Sequence, residues 1–277
     1  MERIRLALEK DKKQAPGRTR LPAQPHKNNL SQFSQNSAEA QHELESVSYT
    51  QTRVVELQAE HLKKNRIVAC NKSEVMSMNF DLLRTLVLQK MEEKNWRTLA
   101  ITSPTAEAGK TVVAINLAMS IAQQSDRSAI LVDFDLRRPK LGSYLGIPME
   151  QSLNKLLDGT ALLPEVLINP DMPRLVVLAT KTPVKKSSEM LSSRKISDLI
   201  KDLRERYESR IVIIDLPPIL VTDDVIALLP HIDCVLLVVA DGMSTKQEIE
   251  DSIRLIPTEQ FIGTVLNKAD VEPMDYY

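Results

Sequence analysis

Lys110 and Thr111 close the stretch Ile101-Thr-Ser-Pro-Thr-Ala-Glu-Ala-Gly-Lys-Thr111, which lies between an apolar run over 98–102 and a helical pattern over 112–122. A strand, a tight loop, Gly-Lys-Thr and then a helix are the parts of a phosphate cradle. Backbone N–H groups of such a loop and the positive end of the helix dipole point at the same place. The lysine reaches terminal phosphates, and the threonine hydroxyl can ligate Mg²⁺. The candidate nucleotide-binding segment runs from Thr105 through Ala106, Glu107, Ala108, Gly109, Lys110 and Thr111 to Val112. It is irregular for its type: a Walker A loop wants Gly at position 104, where this chain has Pro104, and its one glycine is Gly109.

Two more segments place carboxylates where a phosphate site would use them. In Ile130-Leu-Val-Asp-Phe-Asp-Leu-Arg-Arg-Pro139, Asp133 and Asp135 are spaced by two, so at a strand end both can face one side of a sheet. Paired carboxylates there suit Mg²⁺ coordination and proton removal from an attacking hydroxyl. Arg137 and Arg138 could stabilise phosphate charge, in their own site or a neighbour's. A strand ending in a charged turn would explain the charges, but not their place in the strand that comes after the Gly-Lys-Thr helix. Ile211-Val-Ile-Ile-Asp215-Leu-Pro-Pro218 has the Walker B form, an apolar run ending in one carboxylate that holds Mg²⁺ directly or through water. Pro217 and Pro218 stop that strand and stiffen the loop beyond it. Asn267 stands after the run 261–266, where its amide could read an adenine base or simply close a turn. Thr222 or Asp223 reads as a helix cap. The four histidines offer no pair at metal-ligand spacing, and no Ser/His/Asp or Cys/His arrangement is present.

The elements that must position these groups are given by periodicity. Val75, Met78, Leu82, Leu83, Leu86 and Val87 mark an amphipathic helix ending near Glu93. Strands are expected at 97–102, 129–134, 174–179, 210–215, 233–240 and 261–267. Helices are expected at about 110–124, 151–168, 187–206, 222–230 and 244–256. Alternation with nearly continuous apolar strands implies a mostly parallel sheet covered on both faces, an α/β, doubly wound, P-loop NTPase-like fold. Ligands of such sheets bind at the carboxyl ends of the strands, where all three motifs fall.

A chain of 277 residues with 43% hydrophobic content accommodates one large domain plus an extension. A formal net charge of −1 gives no whole-protein electrostatic reason to expect nucleic acid. Cys70 and Cys234 argue against a disulfide scaffold, and Cys234, inside an apolar run, reads as a core thiol. No apolar stretch approaches the roughly 20 residues of a membrane helix, and no secretory signal comes after Met1, so a cytoplasmic protein is expected. Ile4, Ala7 and Leu8 suggest a short helix over 2–13, solvated or docking on a partner or anionic membrane surface. From Gln14 to about Glu60 the polar composition reads as a flexible tether. The expected organisation is therefore an extension over 1–64, a nucleotide-binding domain over 65–270 and a tail over 271–277.

Residues 66–277 resemble the bacterial tyrosine autokinases of capsule and exopolysaccharide synthesis, most nearly the cytoplasmic form associated with exosortase-type loci. The likeness rests on Leu83-Arg-Thr85, Trp96-Arg-Thr-Leu-Ala-Ile-Thr-Ser-Pro-Thr105, Gly109-Lys-Thr111 and Val132-Asp-Phe-Asp-Leu-Arg-Arg-Pro139. It continues in Ser188-Glu-Met-Leu-Ser192, Asp215-Leu-Pro-Pro218, Val221-Thr-Asp-Asp224 and Val265-Leu-Asn-Lys-Ala269. The resemblance implies ATP held by Lys110 and Thr111, and Mg²⁺ near Thr111, Asp133 and Asp215. It implies that Asp133 or Asp135 helps deprotonate a tyrosine, with Tyr276 and Tyr277 as phosphate acceptors presented to a neighbouring subunit. Ring-like homo-oligomers are implied, with a transmembrane polysaccharide copolymerase, or chain-length regulator, as partner that recruits the protein to the inner face of the plasma membrane.

Departures from the family pattern frame the alternatives. Where the family has Gly-Glu, this chain has Glu107-Ala108, and a non-Gly residue held at positive φ costs about 1 kcal/mol. A carboxylate at 107 could also oppose the β-phosphate. The family's Glu-x-x-Arg-x-x-Arg interface motif reads Met78, Asp81, Arg84, and position 105 is Thr where the Min/Par positioning ATPases have a signature lysine. The leading expectation is an ATP-dependent tyrosine autokinase of the exopolysaccharide machinery. The alternatives are a weakened or inactive nucleotide-binding regulator of that machinery and, third, a Min/Par-like ATPase.

Overall fold

A computed structural model of the chain describes residues 52–71 and 75–269. The expected helix over 2–13, most of the tether, the tail over 271–277 and the candidate acceptors Tyr276 and Tyr277 lie outside the described residues.

Eight strands form one sheet: β1 (Arg53–Val54), β2 (Thr98–Thr102), β3 (Ser128–Asp133), β4 (Ile168–Asn169), β5 (Leu175–Leu178), β6 (Arg210–Asp215), β7 (Cys234–Ala240) and β8 (Phe261–Asn267). Their order is β1-β4-β5-β3-β6-β2-β7-β8. The β4–β5 pair is antiparallel and the others are parallel. Side chains of a strand alternate between faces, and here both faces are covered. Leu99 and Ile101 of β2 join one apolar layer with Ile115, Leu117 and Met119; Ala100 joins the other with Val132, Ile196 and Leu203. The mostly parallel, doubly covered sheet expected from the sequence is thus present.

The helices are α1 (Ala59–Lys64), α2 (Val75–Glu93), α3 (Lys110–Ala122), α4 (Leu141–Leu145), α5 (Leu153–Leu157), α6 (Leu163–Val166), α7 (Ser187–Leu191), α8 (Arg194–Glu205), α9 (Asp224–Leu228) and α10 (Lys246–Leu255). The helix expected over 151–168 is instead two short pieces, interrupted where Gly159 takes φ 73°, followed by β4. The one expected over 187–206 breaks at Ser192 and Ser193, and the one over 222–230 shortens to α9 and a 3₁₀ turn at Leu229–His231. In α2 the buried side carries Val87, Leu88 and Met91, while Met78, Leu82 and Leu86, expected on it, face solvent. Among the described residues no helix is long and apolar enough to cross a membrane.

Order begins earlier than the expected boundary at residue 65. β1 pairs with β4, the Val55 N–H donates to the Asn169 carbonyl at 2.8 Å, and Leu62 of α1 is buried. Leu62, Ile67 and Ala69 of this segment join the apolar core, and Asn116 on α3 adds specific bonds that composition does not reveal. Its Oδ1 accepts from the N–H groups of Val68 (2.8 Å) and Ala69 (2.9 Å), and its Nδ2 donates to the carbonyls of Arg66 (3.1 Å) and Val112 (2.9 Å). A fully buried amide with its bonds made therefore ties residues 66–69 to the helix that begins at Lys110.

Asn116→Ala would leave two buried N–H groups without an acceptor, each costing about 1–3 kcal/mol. Urea unfolding is expected to give a stability loss of about 2–4 kcal/mol. A loss under about 1 kcal/mol would mean that apolar contacts alone hold the segment.

Candidate active site

Parallel pairing in register sets the site. Asp133 ends β3, Asp215 ends β6, and the two are direct partners across the pair. β2 lies on the other side of β6 and leads into the Gly-Lys-Thr loop. The Ile101 and Ser103 carbonyls accept from the N–H groups of Leu216 (3.0 Å) and Ile219 (2.9 Å), and Thr102 Oγ1 donates to the Pro217 carbonyl at 2.7 Å. The stretch after Asp215 is thereby fastened alongside the loop that carries the lysine.

The loop turns on two residues in the left-handed region. Gly109, the N-cap of α3, sits at φ 92°, and Glu107 at φ 66°. Only glycine adopts such angles without steric cost. At Gly109 a Cβ would also come within 2.1 Å of Asn267 Nδ2. That Nδ2 donates to the Ala108 carbonyl at 2.8 Å, so the last residue of β8 latches the loop. Glu107 has no such support: it is exposed and carries the strain of a side chain at positive φ.

Three carboxylates surround one ammonium. Lys110 Nζ donates to Asp135 Oδ2 at 2.8 Å and lies 3.7 Å from Asp215 Oδ1; Thr111 Oγ1 donates to Asp215 Oδ2 at 2.7 Å. Burial alone would lower the lysine's proton affinity, but Asp215 and Asp135 outweigh it and hold the ammonium above its ordinary value. Burial, reinforced by neighbouring carboxylates, pushes Asp133 well above the usual carboxylate range; burial raises Asp215 too, against the pull of Lys110 and Thr111. Asp133 is fully buried, its oxygens accepting from the N–H groups of Asp135 and Leu141, both at 3.1 Å. Asp135 uses Oδ1 to accept from the Arg138 N–H at 3.0 Å and turns Oδ2 to the lysine.

These residues fit a divalent cation shared with phosphate. Asp215 Oδ1 is buried, accepts no hydrogen bond and has the Lys110 ammonium at 3.7 Å, so it retains capacity for a closer cation. Beside it stands the Thr111 hydroxyl. Among the described residues no three Asp, Glu, His or Cys side chains form a metal cage of their own. Mg²⁺ in nucleotide sites commonly takes only one or two protein carboxylates, with phosphate and water completing its shell.

Of the residues singled out in the sequence, the fold brings together Lys110, Thr111, Asp133, Asp135 and Asp215, with Thr105–Val112 as the cradle and Asn267 behind it. Arg137 goes elsewhere. Its Nε and Nη2 form a bidentate pair with Asp224, both at 3.1 Å, and Nη2 also reaches Asp223 at 3.4 Å. Asp224 is fully buried and accepts in addition from Ser187 Oγ at 2.9 Å. Asp224 was not identifiable as the partner of Arg137: it reads as part of a helix start, and the nearest sequence sign is the doubled aspartate after Thr222. Asp223 occupies the N-cap position but caps nothing with its side chain, and the Thr222 Oγ1 before it accepts from the Asp224 N–H at 2.9 Å. Arg84 is likewise occupied within the chain, bonded to Asp81 at 2.7 Å and to Ser120 of α3.

No family model matches the chain. The chain is 31% identical over 196 residues to the putative tyrosine-protein kinase EpsB of Ralstonia nicotianae, a match covering 70% of this chain and 26% of that protein. It is 29% identical over 183 residues to the tyrosine-protein kinase CpsD of Streptococcus pneumoniae, covering 65% of this chain and 79% of CpsD. The solved kinase domain of the Escherichia coli tyrosine kinase Etk superposes with a TM-score of 0.69 at 25% identity, covering 81% of this chain and 91% of that one. The resemblance to the bacterial tyrosine kinases and the P-loop fold class are borne out. The chain spans about a quarter of the length of the Acinetobacter and Ralstonia kinases that it matches.

Replacing Glu107 by glycine removes both the positive-φ strain and the carboxylate. The strain, about 1 kcal/mol, is already carried by the loop without nucleotide and so weighs on folding; the carboxylate is what opposes phosphate, and its removal is expected to be worth about 1 kcal/mol, or about fivefold in a binding constant. Titration with a fluorescent ATP analogue is expected to give at least that gain in affinity for Glu107→Gly. Unchanged or weaker binding would show that the charge at 107 does not limit the loop.

Proposed function

We propose that the chain is an ATP-dependent protein-tyrosine autokinase that regulates exopolysaccharide synthesis or export by phosphorylating Tyr276 and Tyr277. The observation that carries this reading is the contact of Lys110 Nζ with Asp135 Oδ2 at 2.8 Å, beside the Thr111–Asp215 pair at 2.7 Å. Lysine, hydroxyl and carboxylates that meet where three parallel strands end are the parts needed to bind a nucleoside triphosphate and accept a proton next to it.

In this mechanism the N–H groups from Thr105 to Val112 cradle the phosphates, and Lys110 moves its ammonium from the carboxylates to the terminal phosphate oxygens. Thr111, Asp133 and Asp215 are the residues that would hold Mg²⁺, which neutralises charge on phosphate oxygens when bound. A tyrosine oxygen forms a bond to the γ-phosphorus as the bond to the bridging oxygen of ADP breaks. The tyrosine proton passes to a carboxylate. Asp135 suits that role better than Asp133, because its Oδ2 is freed when Lys110 moves to the phosphate, whereas both oxygens of Asp133 accept backbone N–H groups. Asn267 serves by holding the Ala108 carbonyl and so the shape of the loop. Arg137, fixed by Asp224, holds the segment after Asp135 in place.

The functional setting comes from the same reading: a homo-oligomer at the inner face of the plasma membrane, recruited and activated by a transmembrane polysaccharide copolymerase. With Arg84 bonded to Asp81 and Ser120 of its own chain, contacts between copies would need other groups. One observation favours a second reading, a weakened nucleotide-binding regulator: the strained, exposed Glu107 in the cradle.

Mass spectrometry of the peptide containing residues 270–277, after incubation with Mg-ATP, separates the two readings. Phosphate on Tyr276 or Tyr277 in the wild type, absent in Lys110→Ala, is the expected result. A bare peptide in both, with and without a copolymerase's cytoplasmic segment, would favour the regulator.

A further inference from the structure

We infer, on the reading above that Thr111, Asp133 and Asp215 hold Mg²⁺, that residues 61–69 are a clamp joining α4 to α3. The clamp aims the Asp133 carboxylate relative to Thr111, and His61, Asn65 and Asn116 are its positioning residues.

The three ligands stand on separate elements. Thr111 is in the first turn of α3, while Asp133 and Asp215 end β3 and β6. Ladder pairing fixes the backbone of the two aspartates. It does not fix where the Asp133 carboxylate points. Two N–H groups do that: Asp135 donates to Oδ1, and Leu141, the first residue of α4, donates to Oδ2. Whatever seats α4 therefore also aims Asp133. A helix of five residues has too few internal bonds to hold its own shape. Burial of Leu141 and Leu145 keeps it on the core, but apolar contact is non-directional and leaves its register open.

The register comes from α1. His61 Nε2 donates to the Ser143 carbonyl at 2.8 Å. Asn65 Nδ2 donates to the Tyr144 carbonyl at 3.3 Å and to the His61 carbonyl at 2.9 Å. Ser143 and Tyr144 lie in the last turn of α4, where carbonyls lack partners within the helix. Gly146 closes α4 at φ 68°, and a Cβ there would come within 2.9 Å of His61 Cδ2. The imidazole thus lies against the one residue type that leaves it room.

Just beyond Asn65 the chain turns at Arg66, φ 60°, and meets α3. There the Asn116 amide takes the N–H groups of Val68 and Ala69 and gives to the Arg66 carbonyl. It also gives to the carbonyl of Val112, the residue after Thr111. One short piece of chain thereby grips α4 at one end and the turn of α3 that holds Thr111 at the other. Loosening it lets the Leu141 N–H drift and with it the Asp133 carboxylate. Groups that orient a ligand carboxylate set metal affinity even though they never touch the metal.

The test uses the full chain and a fluorescent ATP analogue, titrated at a series of Mg²⁺ concentrations and in EDTA. His61→Ala/Asn65→Ala is expected to raise the Mg²⁺ concentration for half-maximal binding about tenfold, and each single replacement about threefold. Affinity in EDTA should stay within about twofold of the wild type, because Lys110 and the loop are untouched. His61→Gln, which retains a side-chain N–H at similar reach, should recover most of the shift seen in His61→Ala. Amide exchange at Leu141 should quicken in the double variant. Ile200→Val, a core truncation on α8 across the sheet, lowers stability without touching the clamp and should leave the Mg²⁺ dependence unchanged. Should the double variant fail to fold, the single replacements decide. A Mg²⁺ dependence equal to the wild type, an equal loss of binding in EDTA, or the same shift in Ile200→Val would overturn the proposal. So would wild-type binding that ignores Mg²⁺. If the wild type phosphorylates no tyrosine yet shows the expected shifts in Mg²⁺ dependence, the kinase reading fails and the clamp stands.

Discussion

A single ammonium set among three carboxylates governs how this molecule is arranged. The backbone of Lys110 is fixed at the start of α3, a helix buried along most of its length, so its ammonium can only swing within the site that Asp135 and Asp215 line. The carboxylates are equally constrained, because Asp133 and Asp215 are partners in a parallel pair. Repulsion among buried anions works against this packing and the lysine offsets part of it, while burial above all raises the proton affinity of Asp133 and Asp215. Asp215 Oδ1 accepts no hydrogen bond and has only the more distant side of that lysine, at 3.7 Å. A site left short of positive charge in this way has affinity for a cation that arrives with its own anion, which is the form in which nucleotides carry Mg²⁺.

Around this centre, residues outside the recognisable motifs do the holding. Asn267 reaches across from β8 to the Ala108 carbonyl, Asn116 ties the chain ahead of α2 to α3, and Asp224 fixes Arg137 from beneath. Each is a short polar side chain whose bonds are made to groups far away in sequence. The loop therefore depends on contacts from distant elements, and within Thr105–Val112 Glu107 is the one non-glycine residue at positive φ.

That pattern explains what could be read beforehand. Five of the six longer strands were legible because each is buried on both faces and so appears as a nearly unbroken apolar run; β8, at the edge and partly exposed, was legible from its apolar residues alone. Asp133, Asp135 and Asp215 were legible because each stands at or just past the end of such a run, and Lys110 and Thr111 because Gly-Lys-Thr opens the helix that comes after one. The two-residue strands β1 and β4 and the helices α1 and α4 were not, since so few residues carry no periodicity. Leu82 and Leu86 were assigned to the wrong side of α2 because its apolar residues occupy more than one stripe. The Arg137–Asp224 pair was out of reach for another reason: 87 residues separate the partners, and only the fold makes them neighbours. The same holds for Asn267, whose amide was expected to meet a ligand or a turn and instead meets the loop.

The chain joins the sheet at β1 and leaves it at β8, and these are its two outer edges. Seven strand spacings separate them, about 34 Å. Chain entering at β1 and chain leaving at β8 therefore lie on opposite flanks of the domain. A row of such domains laid side by side in one orientation would set each β8 flank against the next β1 flank, making succession along the row directional.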